Sequence, residues 1–169
     1  MQGKEKWYVV RAKARQELVA RDNLERQDFA TYLPTIRLAK RRAGRWTSVV
    51  EPLFPGYLFV EVDVTVQSTA PIASTRGALG LVRFGGEIRS VPRQIIDGIM
   101  RLQSDREAPI EPMHAFRRGD PVTIVEGPFA GVNAIFQAES GKERVMLLLD
   151  LLGRPNRVQV QSHQIIPAS

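Results

Sequence analysis

The side chains in this chain that could do chemistry are cations far more than nucleophiles or metal ligands. There is no cysteine, so neither a thiolate metal site nor a disulfide framework can form. His114 and His163 are the only histidines, and neither has a partner at ligand spacing, which argues against a metal centre. No phosphate loop of the G-x-x-x-x-G-K-S/T type is present, no G-x-G-x-x-G turn, and no serine in a nucleophile elbow. Serines, threonines and carboxylates occur without a convincing acid/base spacing. An enzyme would need a site assembled from distant residues. The sequence therefore predicts a binding protein without catalytic residues, cofactor or metal.

What it would bind follows from where the charge lies. The formal net charge is +6. Residues 1–45 hold twelve Lys/Arg against five Asp/Glu, and the remaining residues twelve against thirteen. All of the excess is in the first quarter, which predicts a localised polyanion-facing surface; a basic surface kept for solubility is the plainer alternative. With 43% hydrophobic and 25% charged residues the composition is that of a globular protein rather than a disordered one. No apolar run approaches the ~20 residues of a membrane helix. Met1 to Lys6 is polar with no apolar core after it, so no secretory signal is expected and a cytoplasmic location is.

The elements that must position those cations are legible in outline. Trp7–Val10 has the aromatic and β-branched character of a short buried strand. Arg15–Gln27 is rich in helix formers, with Ala20 and Leu24 facing a core and Arg15, Val19, Asp22 and Arg26 on another stripe beside Asn23 and Gln27. Ala30–Ala39 is expected as one strand, Lys40–Arg45 as a basic hairpin loop, and Trp46–Val50 as the returning strand. Tyr57–Val60, apolar on both faces, predicts a central strand. Ser74–Gly77 and Gly85–Gly86 are turns around a strand at Leu81–Phe84, and Pro92–Gln103 has helical periodicity through Ile95, Ile96, Ile99 and Leu102. Residues 104–116 lack a periodic face and are expected as a linker between domains 1–103 and 117–169. Beyond it, Val122/Ile124, Ala134–Gln137, Arg144–Leu152 and Arg157–Gln161 suit the short strands of a small barrel, with turns at Gly127–Pro128 and Gly153–Asn156.

Three segments together resemble the NusG family of transcription elongation factors. They are Trp7–Val10 with the helix ending Asn23-Leu24-Glu25-Arg26-Gln27; Glu51-Pro52-Leu53-Phe54-Pro55-Gly56-Tyr57-Leu58-Phe59-Val60; and Gly119–Val122 with Glu126–Gly131, which looks like a KOW motif. Ser74-Thr75-Arg76-Gly77 with Val82-Arg83-Phe84-Gly85, and Arg144–Leu149, are similar to the RfaH-like specialised branch. The resemblance implies an α+β chain: an N-terminal α/β sandwich with an antiparallel sheet and flanking helices, followed by a small KOW barrel of SH3-like type. A helical hairpin packed on the first domain is the alternative state of the second. Gly127-Pro128, Gly153, Pro155 and Val158/Val160 point to the barrel, whereas Lys142–Leu152 has helix composition.

The function so implied is antitermination: binding the bacterial RNA polymerase clamp helices and the non-template DNA strand at a pause element, with pausing suppressed. Lys13, Arg26, Gln27, Thr75 and Arg76 would touch the strand, with Asn23 standing where the family carries a histidine. Lys40, Arg41, Arg42 and Arg45 would add phosphate contacts. Tyr57, Phe59, Phe84, Ile96 and Ile99 would dock the clamp helices of the largest subunit. Ser68 and Thr69 lie where the branch contacts the opposite polymerase jaw, and only Thr69 matches its His-Thr-Thr motif. Glu51 and Arg144 match an interdomain pair of the closed form. The second domain would bind the ribosomal protein NusE, and the family suggests a monomer without membrane contact. A general NusG factor with no sequence requirement, and a ribosome- or RNA-binding KOW protein, are the rival readings.

Overall fold

A computed structural model describes residues 4–107, 124–125, 128–153 and 165–166. The chain divides into two compact units, Met1–Arg93 and Gln94–Ser169. Along the first run β1 (Lys6–Ala12), α1 (Glu17–Glu25), β2 (Ala30–Tyr32), β3 (Thr35–Arg42), β4 (Arg45–Pro52), β5 (Tyr57–Val62), α2 (Ala70–Ala73), β6 (Ala78–Leu81), β7 (Arg83–Phe84) and β8 (Glu87–Ile88). Four of the strands form a sheet in the order β2-β5-β1-β6, antiparallel throughout.

The central strand is where its composition put it. Leu58, Phe59 and Val60 on β5 are all fully buried, so both faces of the strand are covered. On one face Tyr8, Val10 and Ala12 of β1 and Leu58, Val60 and Val62 of β5 pack with Ala20 and Leu24 of α1 and Ile72 of α2. The alternation along both strands selects that face, because side chains repeat every second residue. The other face carries an aromatic row: Trp7 meets Tyr32 edge-on at 6.3 Å, Tyr32 stacks on Phe59 at 6.1 Å, and Phe54 meets Phe59 edge-on at 5.9 Å.

Three local expectations are corrected. Leu81–Phe84 is not one strand: Leu81 ends β6 in the main sheet, and Arg83–Phe84 is β7, paired with β8 in a separate ribbon. Ala30–Ala39 is two strands, β2 in the main sheet and β3 in a separate ribbon, parted at Leu33-Pro34. Pro34 has no N–H to give a ladder, and its carbonyl instead accepts Leu53 N–H at 2.8 Å. Lys40–Arg45 is not a loop, since β3 continues to Arg42 and β4 starts at Arg45. Ala43 (φ 52°) and Gly44 (φ 77°) alone make the turn. Two successive positive φ values match the twist of the flanking strands, so the ladder runs to the tip.

At the start of the second unit, α3 (Arg93–Glu107) buries Ile95, Ile96 and Ile99 and runs four residues beyond the expected Gln103. It is followed by β9 (Ile124–Val125), α4 (Pro128–Gln137), α5 (Gly141–Gly153) and β10 (Ile165–Ile166), with β9 and β10 antiparallel. Ala134–Gln137 and Arg144–Leu152 are helical, so of the two states expected for this segment the described residues adopt the helical alternative rather than the strands of a barrel. Pro128 does not oppose the helix either. It is the first residue of α4, where a missing N–H costs nothing and the fixed φ suits a helix. Ser140 Oγ accepts Glu143 N–H at 3.1 Å, and the Glu143 carboxylate accepts Glu139 N–H at 3.3 Å, which closes the start of α5 much as a capping box does. Val132, Ile135 and Phe136 on α4, and Leu148, Leu151 and Leu152 on α5, are buried at helical spacing. The expected strand Arg157–Gln161, the residues Gly119–Val122, Gly127 and Asn156, and both histidines lie outside the described residues.

Candidate nucleic-acid interface

The exposed side of α1 and the turn after α2 form one surface because a glycine lets them touch. Gly77 has φ +87°, and a Cβ there would lie 2.8 Å from Ala20 N and 3.1 Å from Gln16 O. Only a residue without a side chain brings that turn so near the helix backbone. Lys13 N–H donates to Gly77 O at 2.8 Å and ties the preceding loop to the same point.

Polar side chains then interlock across the contact. Gln27 Nε2 donates to Thr75 Oγ1 at 2.8 Å and to Asn23 O at 3.0 Å. The Thr75 hydroxyl donates in turn to Pro71 O at 2.8 Å, and Thr75 is buried. Asn23 Nδ2 donates to Val19 O at 2.8 Å, leaving its Oδ1 to accept Arg26 Nη1 at 3.4 Å. Gln16, Val19, Asp22, Asn23, Arg26 and Arg76 line a groove of about 430 Å³ on this surface. Arg26 and Arg76 are exposed and bring two guanidinium groups to one cleft. Asp22, the acid in the groove, is paired with Arg21 at 3.1 Å. Two arginines with oriented amide groups at the groove's edge have the chemistry to hold a phosphate backbone and an exposed base edge.

Of the residues expected to contact DNA, Asn23, Arg26 and Arg76 share the groove, Gln27 and Thr75 hold its wall, and Lys13 is exposed beside them. Lys40, Arg41, Arg42 and Arg45 stand instead on the β3–β4 ribbon, outside the four-stranded sheet. Gln16 joins the groove without having been singled out. It directly precedes α1 and lies one turn before Val19 and Ala20, a signal that the helical spacing carried.

The apolar candidates are covered to different degrees. Phe59, Ile96 and Ile99 are buried, whereas Tyr57 and Phe84 are half-buried. The Arg89 guanidinium lies 5.5 Å above the Phe84 ring. Ser68 is exposed and its hydroxyl accepts Ala70 N–H at 3.2 Å; Thr69 is half-buried at the start of α2. Glu51, in the first unit, receives the Lys40 ammonium at 2.8 Å. Arg144, in the second, is fully buried and donates to Ala138 O at 3.3 Å. Among the described residues no cluster of metal-ligating side chains occurs, and no helix is long and apolar enough to cross a membrane.

An antiparallel α+β unit with a polar, cationic helix-and-turn face, joined to a second small unit, defines a class of chain equipped for macromolecular binding. Comparison with known proteins gives the family. The model described as "Transcription termination factor nusG" matches residues 5–100. The Thermus thermophilus transcription termination/antitermination protein NusG is 34% identical, with 96% of this chain and 98% of that protein covered. The Staphylococcus aureus protein of the same name is 27% identical, with 96% of each covered. A solved structure titled "Domain interaction in Thermotoga maritima NusG" is 27% identical over 75% of each chain, with a TM-score of 0.46. The chain belongs to the NusG family.

Proposed function

We propose that this protein is a transcription elongation and antitermination factor that binds bacterial RNA polymerase and the exposed non-template DNA strand. The observation that carries the DNA part is the groove locked by Gly77, where Arg26 and Arg76 converge beside Asn23 and the Gln27–Thr75 hydrogen bond. Cations there neutralise phosphates, while fixed amide groups read a base edge at no further ordering cost. The mechanism is conformational: the bound factor holds polymerase in its elongating state, and no bond is made or broken. The half-buried Tyr57 and Phe84 are proposed clamp-helix contacts, joined by the buried Phe59, Ile96 and Ile99 only once the closed form opens and exposes them, with Ser68 and Thr69 toward the opposite jaw.

The finer, RfaH-like reading is recruitment by a specific pause element, with a closed resting form in which Glu51 and Arg144 pair. The helical α4 and α5 favour it, because a segment with KOW-like sequence is expected to be a barrel. The names of the relatives favour a general NusG factor instead. In either case we assign polymerase and DNA binding to residues 1–103, a connecting role to residues 104–116, and NusE binding to residues 117–169. The protein would act in the cytoplasm as a monomer.

A single-round elongation assay with bacterial RNA polymerase, on templates with and without a pause element, separates the readings. Shortened pauses only with the element, lost in Arg76→Ala, support specific recruitment. Equal acceleration on both templates assigns the general NusG role. Absence of any polymerase binding overturns the proposal and leaves the ribosomal reading.

A further inference from the structure

The β3–β4 ribbon divides its cations between two faces, and only one of them carries an aromatic ring. Directly opposed residues of an antiparallel pair point to the same side, and the side alternates along the strand. The pairs Arg41↔Trp46, Ala39↔Ser48 and Arg37↔Val50 therefore share one face. Lys40↔Thr47 and Arg42↔Arg45 belong to the other, together with Ile36↔Glu51.

The two faces differ in what they leave exposed. On the second, the Lys40 ammonium is 2.8 Å from the Glu51 carboxylate, so part of its charge is neutralised within the ribbon. On the first, Trp46 is 71% exposed and Val50 56%. Arg37 and Arg41 make no ion pair among the described residues. Trp7, the other tryptophan, is 9% exposed. A tryptophan left in water beside two uncompensated arginines forgoes much of the burial that makes this side chain worth having. The small Ala39 and Ser48 between the two arginine-bearing pairs leave the ring unshielded along the ribbon.

We propose that this face is a second nucleic-acid site, in which Trp46 stacks an unpaired base while Arg41 and Arg37 hold the adjoining phosphates. The two arginines are four residues apart on one strand, about 13 Å at the rise of a β-strand, so they reach more than one nucleotide. Cationic flanks select a polyanion, and the ring selects a polyanion whose bases can be splayed out, since a paired base offers no free face. Single-stranded nucleic acid meets both conditions and duplex does not. Val50 extends the apolar strip to a neighbouring base or sugar. The inference deepens only the nucleic-acid part of the function proposed above, and it requires no polymerase.

The test uses the full chain and an end-labelled oligodeoxythymidylate about twelve nucleotides long. Affinities of the parent and the Trp46 variants are read by anisotropy of the label, and stacking is read on the parent by intrinsic fluorescence. Because Trp7 is buried, quenching of the solvent-exposed emission reports Trp46. Stacking by one aromatic ring is worth ~1–3 kcal/mol per base, so Trp46→Ala is expected to weaken binding about five-fold or more. Trp46→Phe should restore most of that loss, and Arg41→Ala should reduce the salt slope by about 0.7. Trp46 is exposed, so an unchanged melting temperature of Trp46→Ala checks that the fold is intact. Equal affinity of Trp46→Ala and the parent, or equal affinity for duplex of the same length, overturns the inference. Trp46-dependent binding without any effect on polymerase would instead sink the function proposed above and leave this site standing. Normal oligonucleotide binding by Trp46→Ala, with its activity on elongation complexes lost, would make the tryptophan a protein contact and also overturn the inference.

Discussion

Gly77 in the first unit lies against the backbone of α1, whereas Gly131 in the second lies against the methyl groups of Leu151 on α5. A Cβ at Gly77 would come within 2.8 Å of Ala20 N, and one at Gly131 within 2.7 Å of Leu151 Cδ2. The distances are nearly equal, but what could yield differs. A helix backbone cannot move without breaking its hydrogen bonds, while a leucine can change rotamer. Gly77 also has a positive φ and Gly131 is an ordinary helical residue. The first unit thus holds its groove by a contact with no alternative, and the second holds its helices by packing that can adjust.

Substitutions at these contacts test that difference. Gly77→Ala should destabilise the chain by about 3 kcal/mol, from backbone strain and overpacking together, seen as a lower urea midpoint. It should also abolish strand binding through the groove, and an unchanged midpoint would contradict the locking role. Ser140→Ala removes the hydroxyl that caps α5 and should cost about 1 kcal/mol, with loss of helical circular dichroism. Unaltered helicity would show that the cap does not hold the second unit. Gly131→Ala should change stability by less than about 1 kcal/mol, because the gain in helix propensity offsets the displacement of Leu151. A loss as large as that at Gly77 would erase the contrast.

The smallest effect is electrostatic. Asp63 accepts hydrogen bonds from the Thr65 hydroxyl and backbone N–H, and these hold its carboxyl below the usual carboxylate range. A group whose folded pKa is depressed contributes stability above its unfolded pKa and loses it as pH falls through the folded value. Acid titration below about pH 4 should therefore show a shallower loss of stability in Asp63→Asn than in the parent. Superimposable acid profiles would remove Asp63 as a contributor.

How much of this was legible depended on how many physical demands coincided at each residue. Leu58–Val60 could only be a central strand, because three consecutive apolar side chains require cover on both faces. Ala20 and Leu24 fixed the inward side of α1, and so left Asn23 and Arg26 outside. The ribbon was harder. The basic composition of Lys40–Arg45 reads as a loop, and a loop has no register to separate Arg41 and Trp46 from Lys40 and Arg42. A two-residue turn beginning with alanine at positive φ carries little composition signal. In the second unit, Val145 and the leucines after it satisfy strand and helix alike. The decisive features were Pro128 standing at a helix start and Ser140 followed by Glu143, both present in the sequence but outweighed by the KOW-like Gly127-Pro128. That Gly77 must approach α1 is a tertiary fact with no local signature.

The most direct test of the central claim is site-specific crosslinking in a halted elongation complex. A photo-reactive residue at position 22, which lines the groove while leaving Asn23, Arg26, Gln27, Thr75 and Arg76 in place, would report what occupies it. A crosslink to the non-template DNA strand, lost when Arg76→Ala is added, is the expected result. Crosslinks to polymerase alone, or to duplex DNA outside the bubble, would contradict it.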